Sequence, residues 1–313
     1  MKIIFMGTPK FAVPILEKVN SKHDVVLVVT QPDQYNYKKK TVIFSPVKEW
    51  AVNNNIEVFQ PERIKLEKDY ILNKECDLII TAAYGQIVPE DILNHPKHKC
   101  INVHGSLLPK YRGGAPIQRA IINGEDKTGI TIMYMAKKMD AGDILFSKEL
   151  IIEDVDNQDT VFEKLSLMAS EMILDAIDNI EKGNINPVKQ DEELVTYAYN
   201  LTKEDEKINF EKTSKDVFNQ IRGLNSNPGA YLIIDNMNIK VYNSKVIDKV
   251  TDKKPGVIVQ INKDSFEVAC GNNTVVAITE LQIPGKNKMS ARDFINGQGR
   301  KLLCVDKEIN NGK

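Results

Sequence analysis

The feature that most constrains this chain is the alternation of short apolar runs with helical spacing over roughly its first 180 residues. Lys2–Met6 is an apolar run of strand length, and Gly7-Thr8-Pro9 turns the chain after it. Phe11, Ile15, Leu16 and Val19 then recur at helical spacing. Val25–Thr30 reads as a second strand, ending at Gln31-Pro32-Asp33, and Asp77–Ala83, Cys100–His104, Gly129–Met135 and Ile144–Leu150 read as four more. Thr160–Ile180 is a long helical pattern that stops near Gly183. Strands this apolar must be covered on both faces. The pattern therefore predicts an α/β fold, a Rossmann-like mostly parallel sheet flanked by helices.

The periodicity fades into polar and charged residues between Asn184 and Lys207. Beyond it, Lys215–Leu224 reads as a helix. Ala230–Ile234, Ile239–Ser244, Gly256–Ile261, Phe266–Ala269 and Val275–Leu281 read as short strands parted by turn clusters such as Gly271-Asn272-Asn273. Five short strands in about a hundred residues predict a small C-terminal β-barrel of OB-like type. The expected organisation is a catalytic domain over 1–188, a linker over 189–206 and the barrel over 207–313, two domains being comfortable for 313 residues.

With 42% hydrophobic and 27% charged residues, composition argues against disordered, collagen-like and coiled-coil classes. The opening apolar run is too short for a signal-peptide core, and no later stretch approaches a membrane span. Cys76, Cys100, Cys270 and Cys304 lie far apart with no C-x-x-C pair, which suits a reduced, cytoplasmic protein. The net charge of -1 is unevenly spread. Residues 207–313 hold 17 Lys/Arg against 11 Asp/Glu, and the rest of the chain holds 25 against 32. A basic C-terminal part points to an anionic partner held by that domain. His95, His98 and Cys100 are interleaved with Pro96 and lysines and lack a fourth ligand, so no metal site is expected. G-x-G-x-x-G is absent, so the sheet is no evidence for a dinucleotide.

The stretch Asn102–Gly114 carries the strongest chemical signal. On a strand, Asn102 and His104 share a face, and they would lie at its carboxyl end, where open α/β sheets place ligands. An amide and an imidazole there can both donate to one oxygen, as stabilising the oxyanion of an acyl transfer requires. The same pair could instead be a hydrogen-bonded loop support. Asp140, in Met139-Asp140-Ala141-Gly142-Asp143, could orient the imidazole or relay protons, or merely cap its own turn.

NVHGSLLPKYRGGAPIQ, followed by TGITIMYM and MDAGDIL, resembles the 10-formyltetrahydrofolate-dependent formyltransferases. The resemblance maps their catalytic asparagine, histidine and aspartate onto Asn102, His104 and Asp140. FMGTPKFAVPIL, TQPD, SPVKEWA, AAYGQIVP, LTKED, NPGAY and LQIPGKNKMSARDF extend it nearly end to end, toward the branch that formylates methionyl-tRNA. It implies transfer of the formyl group of 10-formyltetrahydrofolate to the amino group of methionine on initiator tRNA, without a metal, DNA or a membrane, by a monomer. Tyr84, Gly85, Gln86, Ile87 and Val88 would line the pterin pocket with Ser106, Leu107, Leu108 and Pro109. Lys38, Lys39, Lys40 and Arg112 would meet the tRNA. Two segments depart from the family. The 34–44 loop lacks the usual glycines and arginines, and Asn225–Asn227 stands where relatives often carry a tryptophan before Pro228. An amino-sugar-nucleotide acceptor, a folate hydrolase and an inactive RNA-binding module are the rival readings.

Overall fold

A computed structural model describes residues 1–37 and 40–309, and its contacts divide the chain into two compact units. The first comprises Met1–Pro116, Lys127–Ile151 and Phe162–Tyr199. The second comprises Ile117–Asp126, Ile152–Val161 and the chain from Asn200 onward. The boundary at Tyr199 falls inside the 189–206 stretch expected to act as a linker.

In the first unit, β1 (Lys2–Gly7), β2 (Asp24–Val29), β5 (Val58–Phe59), β6 (Leu78–Ala82), β7 (Cys100–His104), β8 (Lys127–Tyr134) and β9 (Ile144–Ile151) form one sheet. Its order is β5-β2-β1-β6-β7-β8-β9. The first five strands pair in parallel, and β8 pairs antiparallel with both β7 and β9. From Ile3 to Met6 and from Leu78 to Ala82 the side chains are buried on both faces, as parallel pairing demands. One face packs Ile4, Leu27 and Ile79 against Ile64, Ile71 and Ile92. Ile71 belongs to α3 (Asp69–Leu72) and Ile92 to α4 (Glu90–Leu93). The unit also holds α1 (Val13–Asn20), α2 (Pro46–Asn53) and most of α6 (Gln158–Lys182). Phe11, just before α1, meets Phe162 of α6 edge-on at 5.4 Å, and Ser166 Oγ donates to Phe11 O at 2.8 Å. Strand order reverses between β1 and β6. That switch opens a crevice at their carboxyl ends, beside Gly7 and Ala82.

The 34–44 stretch, expected as a loop, is a small hairpin of β3 (Gln34–Asn36) and β4 (Thr41–Ile43). Its base is tied on both sides: Lys48 pairs with Asp33 at 2.5 Å, and the Thr30 and Ser45 hydroxyls lie 2.8 Å apart. Ser45 also caps α2, accepting from Lys48 N at 3.1 Å with Pro46 in the first turn.

The second unit is built on an antiparallel sheet of β10 (Ala230–Ile234), β11 (Met237–Ile247), β12 (Ile258–Ile261), β13 (Phe266–Ala269) and β14 (Val275–Gln282), in the order β10-β11-β14-β13-β12. A short β15 (Met289–Ser290) pairs with β14, and the sheet is consistent with a small barrel. Its core joins Leu232, Val241, Phe266, Val276 and Leu281 to Val217 and Ile221 of α8 (Ser214–Gly223). Thr213 and Asp216 close a reciprocal capping box on α8. Phe294 of α9 (Ala291–Asn296) completes this core. α5 (Pro116–Ile122) and the short α7 (Lys203–Glu206) are joined within this unit by Arg119 and Asp205. Among the described residues no helix is long and apolar enough to cross a membrane.

Candidate active site

Asn102 and His104 end β7 at the carboxyl edge of the sheet, next to the switch crevice. Thr81 of β6 stands in register with Asn102, and its hydroxyl lies 2.7 Å from Asn102 Oδ1. A hydroxyl has one proton, and this shortest contact takes it. The amide oxygen is thereby turned inward, and Nδ2 is left to donate outward. Asn102 Nδ2 points to Asp140 Oδ1 at 3.4 Å.

His104 is buried, and its Nε2 lies 2.9 Å from the carbonyl of Tyr111. A carbonyl can only accept, so Nε2 carries a proton in every ionisation state of the ring. The nitrogen left free of that bond is Nδ1, which lies 3.8 Å from Asp140 Oδ2. Asp140 Oδ2 also accepts from Gly113 N at 2.9 Å. Two of the three side chains singled out in the sequence thus converge on the carboxylate of the third. Asp140 sits at φ 50°, in the left-handed region, in a turn where a side chain on Gly142 would run into Tyr134 O.

The residues expected around the pterin divide into two groups. Tyr84 O accepts from Thr8 Oγ1 at 2.9 Å and from Gln31 Nε2 at 3.1 Å, which fixes the loop after β6. Burial pushes the Tyr84 phenol well above its ordinary range, and its hydroxyl has no hydrogen-bond partner among the described residues. Gln86 binds the preceding segment, donating to Pro61 O and accepting from Ile64 N. Gly85 and Ile87 are exposed, while Val88 is buried. A cavity of about 520 Å³ opens beside this loop, walled by Ile64, Ile87 and Val88 with Arg63, Lys65 and Lys137 around it. In the second group, Leu108 N donates to Thr131 Oγ1 at 3.1 Å, and Leu107 packs where any side chain on Gly129 would stand. Pro109 is half-buried.

Two assignments need correction. Ser106 has no exposed surface, and its hydroxyl donates to Lys110 O at 2.7 Å, so its side chain braces the loop and cannot meet a cofactor. Arg112 was expected at the tRNA. It is 1% exposed, donating from Nε to Gln190 Oε1 at 3.0 Å and from Nη2 to Glu192 Oε1 at 2.8 Å. Two of its nitrogens are committed inside the protein, and no phosphate can reach them. Of the lysines, Lys38 and Lys39 lie outside the described residues and Lys40 is exposed on the hairpin.

Residues 1–177 match the formyl transferase family, and residues 200–299 match the formyl transferase C-terminal domain. The chain is 46% identical to the methionyl-tRNA formyltransferase of Bacillus subtilis over 99% of each chain. It is 44% identical to that of Staphylococcus aureus strain MW2 over 96% of this chain and 99% of the relative. The chain belongs to the methionyl-tRNA formyltransferase family. Solved structures of similar fold include WlaRD, a sugar 3N-formyl transferase, at a TM-score of 0.69 and 21% identity over 92% of this chain and 99% of that one. An N-formyltransferase from Helicobacter canadensis is similar at 0.69 and 21%, over 90% and 99%. In this member of the methionyl-tRNA formyltransferase family, the sequence reading missed Thr81 and Gln190. A strand threonine is an ordinary core residue until its register with Asn102 is known. Gln190 lies in a polar stretch with no periodic signal.

Proposed function

We propose that this chain transfers the formyl group of 10-formyltetrahydrofolate to the amino group of methionine carried by initiator tRNA, in the cytoplasm. The observation that carries the reading is the convergence of Asn102 Nδ2 and His104 Nδ1 on Asp140 at the carboxyl end of β7, in a chain this similar to methionyl-tRNA formyltransferases.

The neutral amine attacks the formyl carbon, and the carbonyl electron pair moves onto oxygen. Asn102 Nδ2 and the protonated His104 Nδ1 donate to that oxyanion, and Thr81 keeps the amide from rotating. Asp140 takes the proton that the attacking nitrogen must lose, directly or through a water. When the oxyanion collapses, the bond from the formyl carbon to N10 breaks and N10 takes the His104 Nδ1 proton. Transfer from Asp140 to Nδ1 across the 3.8 Å gap then resets the pair. The Nε2–Tyr111 bond is kept throughout, so the ring need not turn over.

The donor is placed at the 84–88 loop and at Leu107–Pro109, largely through backbone groups. Arg63 and Lys65 at the neighbouring cavity suit the carboxylates of its glutamyl tail, while Lys137 there is paired with Glu90 at 3.1 Å. Tyr37, 83% exposed and edge-on to Tyr35 at 5.0 Å, offers a hairpin tip on which an unpaired base of the acceptor end can stack. Lys40 adds charge there, and the excess of basic residues beyond Lys207 suits the phosphate backbone.

The test follows labelled formyl from 10-formyltetrahydrofolate into acid-stable formylmethionine on initiator tRNA, with uncharged tRNA and an amino-sugar nucleotide as controls. Transfer to the charged tRNA alone is expected, and Asn102→Ala should lower turnover by roughly two to three orders of magnitude. Folate turnover without tRNA formylation would move the acceptor to a sugar or to water. A folded Asn102→Ala protein of near-normal rate would sink the role of the amide.

A further inference from the structure

Residues 189–198 fall in the expected linker, yet with Val188 before them they are laced to the first unit. Val188 exchanges both backbone hydrogen bonds with Ile144, at 2.8 and 2.9 Å. Arg112 N donates to Thr196 O at 2.9 Å, Ala198 N to Arg112 O at 2.7 Å, and Tyr111 N to Thr196 Oγ1 at 2.9 Å. One side chain of this strap reaches the turn that carries Asp140. Gln190 Nε2 lies 2.8 Å from Asp140 O and 2.8 Å from Gly142 O, so both amide hydrogens are used on the two carbonyls that bracket the turn. Gln190 Oε1 accepts from Arg112 Nε at 3.0 Å. Carbonyls on one side and a guanidinium on the other admit only this orientation of the amide. Arg112 is itself held by Glu192, whose carboxyl the Arg112 and Lys138 hydrogen bonds draw down to about 2.

Building on the reading of Asp140 above, we propose that Gln190 is a positioning residue for the Asp140 carboxylate. Asp140 adopts a left-handed backbone, uncommon outside glycine though aspartate tolerates it better than most, so contacts that hold the turn help to keep it there. Gly113 N holds the side chain from one side. Gln190 holds the backbone from the other, and both are fastened through Arg112, the neighbour of Gly113 and the donor to Gln190. Leucine at 190 matches the bulk of the side chain and removes all three hydrogen bonds. Glutamate keeps the shape but puts a charge with no donor against two carbonyls. In either case the turn loses its brace while the substrate-binding surfaces remain.

The measurement is the single-turnover rate of formyl transfer, with KM for the charged tRNA and for the folate donor, on Gln190→Leu, Gln190→Glu and Asp140→Asn beside wild type. The Gln190 variants should slow transfer by about 10- to 100-fold, as misplacing a catalytic group by an ångström does. Both KM values should stay within about twofold and Tm within a few degrees, a split that a merely structural residue would not give. Wild-type rates in both Gln190 variants, with Asp140→Asn slow, would overturn the positioning role alone. Loss expressed in KM, or failure of both variants to fold, would overturn it too, by assigning Gln190 to the scaffold. A fast Asp140→Asn enzyme would overturn the reading of the site and the positioning role together.

Discussion

At the scale of single residues, the candidate site depends on positions where a small change has no room. Gly142 is the sharpest case: a Cβ there would stand 1.8 Å from Tyr134 O, well inside contact distance. Gly142→Ala must therefore shift the backbone of the turn that holds Asp140, and Gln190 Nε2 donates to the carbonyl of Gly142 itself. Transfer is expected to fall by about tenfold or more, since ångström displacements of catalytic groups cost that much. Single-turnover formylation and Tm, measured together, check this; an unchanged rate in a folded protein would mean that the turn does not set the geometry. Asn102, His104 and Asp140 stood out in the sequence as chemically capable residues at a strand end or in a turn, and the family resemblance singled them out as the candidate set. Their supports were not. Thr81 acts through register and Gln190 through a tertiary contact 50 residues away in the chain. Arg112 misled for the opposite reason, since a basic residue in a glycine-rich loop looks like a phosphate contact until its burial is seen.

At the scale of elements, apolar strands were readable from periodicity down to the four residues of β13, whereas the helices α2, α5 and α9 and the hairpin strands were not. β3 and β4, of three residues each, are too short to show alternation, and most of their side chains are exposed. α7 shows how a four-residue helix is held instead by hydrogen bonds. Thr202 and Asp205 form a capping box, and Asp205 also takes a two-pronged ion pair from Arg119, at 2.7 and 2.8 Å. The Arg119 hydrogen bonds draw the Asp205 carboxyl from 3.8 to about 2, partly opposed by burial. A depressed carboxyl stabilises the fold above its unfolded value and loses that contribution as pH falls through the folded one. The contribution should be complete above about pH 4 and vanish toward pH 2, and after solvent screening it is worth about 1 kcal/mol. Arg119→Leu should accordingly lower Tm by a few degrees at pH 7, and the gap from wild type should close between pH 4 and pH 2. A gap that stays constant with pH would show that the ion pair does not stabilise the unit.

At the scale of the whole molecule, the order of elements along the chain was legible, but their assignment to compact units was not. The expected 1–188 domain takes in residues 116–122 and the segment before α6 because they lie between its strands. The second unit nevertheless claims 117–126 and 152–161. Ile122 packs on the core formed by Val217, Ile221 and their neighbours. Arg222 of α8 donates to the carbonyls of Glu153 and Asp156, at 2.7 and 3.0 Å. A chain cut after Tyr199 therefore does not leave a finished domain. It strands Arg119 without Asp205, uncovers Ile122 and removes the donor from two carbonyls. Losses of this kind come to several kcal/mol, and for about 200 residues each kcal/mol moves Tm by roughly 2–4 °C. Residues 1–199 alone should melt on the order of 10 °C below the full chain, with added exposed apolar surface seen as dye binding. If the shortened chain melts where the full chain does, 117–126 and 152–161 belong energetically to the first unit. If it melts early, a fall in tRNA affinity on truncation reports lost structure as much as lost contacts. The tRNA-binding role of the second unit then has to be measured by reversing exposed lysines in the intact protein.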